Sequence, residues 1–246
     1  RIRLENHSHL QQYSFAFWSH AYLFPVKAEL PDMTNIAPAD MEPEFVDRRK
    51  QPPVLPVEDG WVKLSPDYPV FADRKAKRLL VDGQVVQNHA MLEMFACPLD
   101  SGKEHESVVA VFSNSQLIHA GLLAVGAKPG HPAKFDPEFQ AAEGTKILIE
   151  VQWKDEHGEL QTVPARRWVR NIRDKKELDM DWVFGGSLMY KDEESGREYY
   201  MAEGGELVCV SNFATATLDL PTPSSDAAAN QMFEANTELI PPLGTP

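Results

Sequence analysis

The chain has 246 residues, a formal net charge of −13 and 43% hydrophobic residues. Its acidity argues against binding to nucleic acid or to anionic membranes, because both select lysine- and arginine-rich surfaces. The apolar content argues against disorder, and two cysteines are too few for a disulfide scaffold. No run reaches the roughly 18 apolar residues that a membrane span needs. We therefore expect a globular protein with a sizeable core and no transmembrane segment.

The first part of the chain predicts an arm that is separate from the main domain. Residues 1–27 hold a dense aromatic patch, which would be costly to leave in water. We expect this arm to bind a protein partner or a second copy of the chain. Because the chain begins with Arg1 and not with Met, we expect a processed product that has lost any leader. The aromatic side chains of the arm are Tyr13, Phe15, Phe17, Trp18, Tyr22 and Phe24.

Two further parts follow along the chain. Residues 28–56 are rich in proline, which is unfavourable in helix interiors and central strands, and we interpret them as a linker. Residues 57–246 are predicted to form the compact domain. Its first strands are expected at residues 61–64, 69–72 and 76–81. Asp82-Gly83 predicts a two-residue hairpin turn that leads into a returning strand at residues 84–86.

A helix is predicted between two strand-rich regions. Strands are expected at residues 92–98 and 107–112. Asn114 or Ser113 is expected to cap the following helix, and Gly126 to end it in the left-handed conformation. Ile118, Leu122 and Val125 form an apolar stripe, and since most of the remaining helix surface is also apolar or small, we expect the helix to be buried.

The second half of the chain predicts mainly strands. Residues 130–132 are expected to form a loop. Residues 145–153 alternate as one strand should, and shorter strands are expected at 159–163, 181–186, 198–202 and 206–211. Many short strands joined by tight turns, with one or two helices, predict an α+β fold with a largely antiparallel sheet.

The scarce reactive residues are concentrated between residues 92 and 135. Cys97, Lys103, His105 and Glu106 lie in and after a predicted strand, and a thiol, an imidazole and a carboxylate together suit a nucleophilic pair or a metal. The spacing matches no specific motif, so a buried cysteine beside a locally paired polar turn is the simpler alternative. Cys97 and Cys209 are either two buried thiols or one disulfide, and the sequence leaves this open.

Histidines give a second candidate site. His119 lies in the predicted helix among apolar residues, where it is either a ligand or a core histidine with one hydrogen bond. His105, His119 and His131 together would supply three imidazoles for one metal. Their spacing neither requires nor excludes that arrangement, so we treat a three-histidine metal site as a hypothesis.

One basic run stands out in this acidic chain. Residues 164–176 contain six basic residues and one acidic residue. Arginines can bind a carboxylate or phosphate through their planar guanidinium groups. If the run is helical, Arg166, Arg170 and Arg173 share one face. The alternative, which we prefer, is pairing with the acidic C-terminal part of the chain.

Several segments resemble a known family in sequence and in order. They read MFACPLDSGKEHESVVAV, IHAGLLAVGAKPGHPAKFDPEF, WVRN, DWVFGGS, YYMAEGGELVCVSNFATATLDLP and ELIPPLGTP. These segments are similar to the YdjY-domain family of bacterial proteins, over most of residues 57–246. The resemblance implies export to the periplasm or cell surface behind a signal or lipoprotein leader. It also implies a further strand after Pro246, and it implies no activity or cofactor.

Two functions are compatible with the sequence, and any cofactor stays unknown. The first is a non-catalytic exported structural or interaction module that uses the aromatic arm. The second is a small-ligand or metal site, enzymatic or not, around Cys97, His105, Glu106 and His119. Missing catalytic motifs favour the first, and the clustering of reactive residues favours the second.

Overall fold

The computed structural model describes residues 47–224 and 233–246. Short strands account for most of the regular structure in these ranges, and one α-helix, α1 (Ser115–Ala124), interrupts them. The strands in chain order are β1 (Val62–Lys63), β2 (Val70–Asp73), β3 (Arg78–Val81), β4 (Gly83–Val85), β5 (Met91–Leu92), β6 (Met94–Pro98), β7 (Ser107–Val111), β8 (Pro129–His131), β9 (Glu143–Gly144), β10 (Lys146–Ile147), β11 (Glu150–Lys154), β12 (Leu160–Pro164), β13 (Val169–Asn171), β14 (Trp182–Phe184), β15 (Met189–Lys191), β16 (Glu198–Tyr200), β17 (Val208–Cys209), β18 (Leu218–Asp219) and β19 (Phe233–Ala235).

A seven-stranded sheet forms the centre of the domain, in the order β10-β14-β18-β17-β6-β7-β4. Only the β6–β7 and β17–β18 pairs are parallel among the described pairs, and the others are antiparallel. Two three-stranded sheets, β1-β2-β3 and β13-β19-β5, and three hairpins complete the described strands. The fold is therefore mostly strands in antiparallel or mixed sheets with one described helix, which agrees in outline with the predicted α+β class.

Local signals place α1 as the sequence predicts. The Asn114 side chain accepts a hydrogen bond from the Leu117 backbone N–H at 2.7 Å and caps the first turn. Gly126 has a φ of 91° and follows the last turn in the left-handed conformation. No helix in the described ranges is long and apolar enough to cross a membrane.

The prediction that α1 is buried all round is wrong. Ile118 and Leu122 are buried against the core, but Gln116, Ala120 and Leu123 are exposed. Alanine and leucine tolerate an exposed face because both favour helix formation. The helix therefore covers the strands with one face only, as a surface helix of a globular domain does.

The core lies between the central sheet and the elements that cover it. Its largest fully buried side chains include Trp182, Phe112 and Phe184. The indole Nε1 of Trp182 donates a 2.7 Å hydrogen bond to the backbone carbonyl of Cys209, so this large ring is buried without an unsatisfied donor. This hydrogen bond thus links β14 to β17 across the intervening strand β18.

The predicted hairpin at Asp82-Gly83 is absent, and that prediction is wrong. β3 pairs with β2, whereas β4 pairs with β7. Gly83 has no positive φ, and a Cβ atom at this position would lie 2.6 Å from the carbonyl oxygen of Ala110. Glycine is therefore required here by the close approach of β7, and not by a turn.

Two other local predictions are also corrected by the structure. The single strand expected at residues 145–153 is divided between two sheets, since β10 pairs with β14 and β11 pairs with β12. Ile149, between these two strands, accepts a hydrogen bond from the backbone N–H of Ala165. The loop expected at residues 130–132 begins inside strand β8, which pairs with β9.

Candidate functional site

Cys97 is placed by β6 in the interior of the domain. Its side chain has no exposed surface and it is a free thiol, as is the buried Cys209. Burial raises the pKa of Cys97 to about 11, although hydrogen bonds to Ser107 and Ser101 act in the opposite direction. Since the thiolate is the reactive and metal-binding form, Cys97 is poorly suited to either role.

Lys103 and Glu106 form an ion pair in the loop that connects β6 to β7. The Lys103 Nζ atom lies 2.5 Å from Glu106 Oε1 and 3.8 Å from Glu93 Oε2. Burial acts to lower the pKa of Lys103, but the hydrogen bond with Glu106 and the nearby carboxylates outweigh it and the pKa is raised. Lys103 is therefore held in its charged form.

His105 belongs to the same loop, which forms a short 3₁₀ turn over Glu104–Glu106. Its Nε2 atom lies 3.8 Å from Glu106 Oε2, and its side chain is 48% exposed. The structure therefore brings Lys103, His105 and Glu106 together at the surface, with the strand that carries Cys97 leading into this loop. These charges pair locally. That agrees with the interpretation of this segment as a buried cysteine beside a locally paired polar turn.

His119 lies on α1 and is part of a different network. Its Nδ1 atom is 2.9 Å from Tyr200 Oη, and the same hydroxyl is 2.9 Å from Thr217 Oγ1. The Tyr200 hydroxyl also donates to the Gly186 carbonyl at 3.2 Å. Burial lowers the pKa of His119 and raises the pKa of Tyr200 to about 12. The neutral imidazole thus connects α1 to β16.

His131, the last residue of β8, has partners that differ from those of His119. Its Nδ1 atom lies 2.9 Å from the Pro132 carbonyl oxygen, and its Nε2 atom lies 3.7 Å from Glu143 Oε2. Within residues 47–224 and 233–246, no group of three or more His, Cys, Asp or Glu side chains is placed to hold one metal ion. The geometry gives His105, His119 and His131 separate environments, and metal binding by them stays a prediction.

The basic run at residues 164–176 pairs with nearby carboxylates. Residues Ala165–Trp168 form a 3₁₀ turn and β13 follows, so the arginines do not share one helical face. Arg170 Nε lies 2.7 Å from Glu234 Oε1, and Lys175 Nζ lies 2.8 Å from the same oxygen. Pairing with a C-terminal acid, which we preferred from the sequence, is confirmed for these two residues.

The structure contains a large groove that no pattern in the sequence predicted. The groove has a volume of about 1000 Å³ and lies between residues 78–85 and residues 145–153. Alternating apolar residues in these two segments predict a buried strand face but not a space between two strands. Its apolar lining includes the half-buried side chains Leu79, Val81, Ile147, Ile149, Val151 and Trp153.

A second unforeseen feature is an exposed apolar patch on the β15–β16 hairpin. We define the hairpin patch as five side chains that are between 37% and 55% exposed. Tyr190 and Tyr199 are cross-strand neighbours with ring centroids 6.5 Å apart. The patch consists of Leu188, Met189, Tyr190, Tyr199 and Met201.

The remaining sequence prediction concerns the aromatic arm. Its residues Tyr13, Phe15, Phe17, Trp18, Tyr22 and Phe24 lie outside the described residues, as does most of the proline-rich linker. Binding of a partner through this arm therefore stays a prediction.

Fold and site together define a strand-rich α+β domain in which the buried thiols and His119 take part in packing and hydrogen bonding. The chain belongs to the YdjY-domain family, since the YdjY domain matches residues 70–246. No curated protein and no solved structure matches the chain.

Proposed function

We propose that this protein is a non-catalytic, exported interaction module that contacts a partner protein or a second copy of itself. The observation that carries the proposal is the hairpin patch, where five large apolar side chains are exposed on fourteen consecutive residues. By strand alternation Tyr190 and Tyr199 share one face of the hairpin and Met189 lies on the other, and large apolar side chains exposed close together are typical of an interaction site. Tyrosine and methionine are also enriched in the centres of protein interfaces.

The state of the reactive residues supports the same conclusion. The Cys97 thiol is buried with a raised pKa, and His119 is bound to Tyr200. Lys103 and Glu106 neutralise each other. These groups have partners within the fold, and their arrangement favours a stabilising role over a catalytic one.

Export to the periplasm or cell surface is part of the proposal and rests on the family resemblance alone. The aromatic arm is proposed as a second contact surface. Deleting residues 1–27 is expected to weaken association if the arm takes part in it.

The first experiment measures the solution mass of the protein by light scattering or sedimentation over a range of concentrations. Self-association is expected, and a Met189→Ser/Tyr190→Ser double variant is expected to shift the mass towards the monomer. The matched control is Leu160→Ser, which changes a similarly exposed apolar residue on the separate β11–β12 hairpin. Self-association through the patch would be refuted by a monomer at all concentrations. Equal association of the unchanged protein, the double variant and the Leu160→Ser control would also refute it.

The alternative function, a ligand or metal site around Cys97, His105, Glu106 and His119, stays a prediction that elemental analysis tests. A stoichiometric transition metal in natively purified protein, lost in a folded His105→Ala variant, would favour it over the interaction module. Because His105 is half exposed, this substitution is expected to leave the fold intact.

A further inference from the structure

The β15–β16 hairpin forms a separate two-stranded sheet among the described strands. All three residues of β15 are exposed, and the side chains of Met189 and Tyr190 are each 55% exposed. A two-stranded hairpin is only marginally stable by itself in water. An edge strand of this kind can pair with a further strand through its unused N–H and C=O groups. The outer edge of β15 is therefore a candidate contact surface.

Hydrogen bonds at the two ends of the hairpin determine which main-chain groups of β15 face outward. The Met201 N–H donates to the Leu188 carbonyl at 2.9 Å, and the Asp192 N–H donates to the Arg197 carbonyl at 2.8 Å. In an antiparallel pair, hydrogen-bonded and non-hydrogen-bonded residue pairs alternate along the strands. Leu188, Tyr190 and Asp192 therefore direct their main-chain groups towards β16, whereas the two residues between them direct theirs away from it.

The two residues that face away from β16 are Met189 and Lys191. Within residues 47–224 and 233–246, no backbone hydrogen bond outside the hairpin involves either of them. The open edge begins after Ser187, because the Ser187 N–H already donates to the Ala216 carbonyl at 2.9 Å. β15 thus presents two N–H donors and two C=O acceptors along one exposed edge.

A second copy of the same strand fits this edge in one register. If the two strands are antiparallel and a two-fold axis passes beside Tyr190, Met189 of each copy lies opposite Lys191 of the other, and all the outward groups can bond. A register centred on Lys191 places two like charges directly opposite each other, which is unfavourable. A register centred on Met189 places Lys191 opposite Ser187, whose N–H is already used.

The side chains also suit the register centred on Tyr190. Tyr190 and Tyr199 share one face of the hairpin, so two hairpins bring four tyrosine rings into one row. Lys191 lies opposite Glu198 in its own hairpin and has Met189 of the second copy on its other side, so no like charges meet. The acidic tips at residues 192–194 point in opposite directions, because the paired strands are antiparallel.

We propose that β15 pairs with β15 of a second copy of the chain, antiparallel and centred on Tyr190. The two hairpins then form one four-stranded sheet in the order β16-β15-β15-β16. Main-chain pairing supplies affinity, and the tyrosine row with the Lys191–Met189 contacts supplies specificity. This inference rests on the proposed function, because it names the second copy as the partner of the hairpin patch. Short strands with four hydrogen bonds between them predict a weak dimer, with a Kd of about 10–100 μM.

The first test removes one outward N–H group from the full chain. Lys191→Pro leaves the hairpin's own hydrogen bonds in place, since these use the residues on either side, and proline is tolerated in edge strands. Lys191→Ala is the matched control, because it removes the same side chain and keeps the N–H. Sedimentation measures Kd. We expect Lys191→Pro to raise Kd at least about tenfold, and Lys191→Ala to change it less than about threefold.

The second test places a thiol beside the two-fold axis. In the proposed dimer the Cα atoms of the two residues at position 190 are about 4.5 Å apart, which is within the range of a disulfide. Diamide takes up the two protons and two electrons of a thiol pair, so it should convert Tyr190→Cys into a covalent dimer that a reducing agent separates. The native Cys97 and Cys209 are buried free thiols and do not compete.

Tyr199→Cys is the matched control for the cross-link, since Tyr199 lies on the same face and is 44% exposed. In the proposed sheet the two residues at position 199 are three strand spacings apart, about 14 Å, which is too far for a disulfide. We therefore expect Tyr199→Cys to give at least about tenfold less covalent dimer than Tyr190→Cys under the same conditions.

Two results would overturn the inference and leave the proposed function in place. One is equal association of Lys191→Pro and Lys191→Ala when the Met189→Ser/Tyr190→Ser variant dissociates. The other is a cross-link in Tyr190→Cys that is absent, or no stronger than in Tyr199→Cys, when the unchanged protein is dimeric. A monomer at all concentrations would refute self-association through the hairpin patch and edge pairing together.

Discussion

The Nδ1 atom of His119 lies 2.9 Å from the Oη atom of Tyr200, and this contact joins α1 to β16. The two rings also meet edge to face, with centroids 5.3 Å apart. A histidine that looked like a candidate ligand in the sequence is therefore one of the residues that attach the helix to the strands.

Tyr200→Phe is expected to lower the free energy of unfolding by about 1–3 kcal/mol. The substitution leaves His119 Nδ1, Thr217 Oγ1 and the Gly186 carbonyl without their shared hydroxyl partner. Chemical denaturation measures the change. Tyr199→Phe, on the exposed neighbouring residue, is the control and should change the value by less than about 0.5 kcal/mol. Equal stability of the two variants would contradict the network.

Glu203→Ala is expected to destabilise the protein by about 1 kcal/mol. The Glu203 carboxylate accepts hydrogen bonds from the backbone N–H groups of Ser115 and Gln116, at 3.2 Å and 2.8 Å. It therefore satisfies first-turn donors of α1 from a distant part of the chain. Thermal or chemical unfolding measures the loss, with Glu193→Ala on the exposed hairpin tip as the control. If both variants lose the same stability, the distant cap is not important.

Neither cysteine is expected to react with an aromatic disulfide reagent at pH 8 while the protein is folded. Burial raises the pKa of Cys97 to about 11 and that of Cys209 well above its ordinary value. The thiolate concentration and the access of the reagent are therefore both low. Two equivalents of thiol should appear only after denaturation. Rapid labelling of the folded protein, or no thiol after denaturation, would show that the thiols are accessible or oxidised.

Stability is expected to fall as the pH rises from about 4 to about 7, through Asp219. Burial raises its pKa to about 7, against hydrogen bonds from Asn212, Leu220 and Phe213 that act to lower it. Because this pKa is above the unfolded value of 3.8, the folded protein binds more protons in this window and loses stability as they dissociate. The loss attributable to Asp219 is up to about 4 kcal/mol.

Asp219→Asn separates this effect from those of other carboxylates, since the amide cannot ionise. The difference in unfolding free energy between pH 5 and pH 8 should be smaller in the variant than in the unchanged protein. Denaturant titrations at the two pH values measure it. The same pH dependence in both proteins would show that Asp219 does not titrate in this window.

The sequence by itself determined those strands and helix ends whose causes lie within a few neighbouring residues. Short apolar runs predicted the strands near β2, β6 and β7, a segment after a turn predicted β12, and Asn114 with Gly126 predicted both ends of α1. The family resemblance also came from the sequence, and the match over residues 70–246 confirms it. Helix caps and short apolar runs extend over a few residues, so they can be recognised without knowledge of the rest of the fold.

Only the tertiary structure decided which strands pair and which surfaces stay open. Asp82-Gly83 has the local pattern of a hairpin, but the contact of Gly83 with Ala110 depends on β7, which lies far along the chain. The groove between the edge strands, the hairpin patch and the Tyr200 partner of His119 likewise arise from non-local contacts. Strand pairing is a non-local choice that tertiary packing makes, and local propensity cannot encode it.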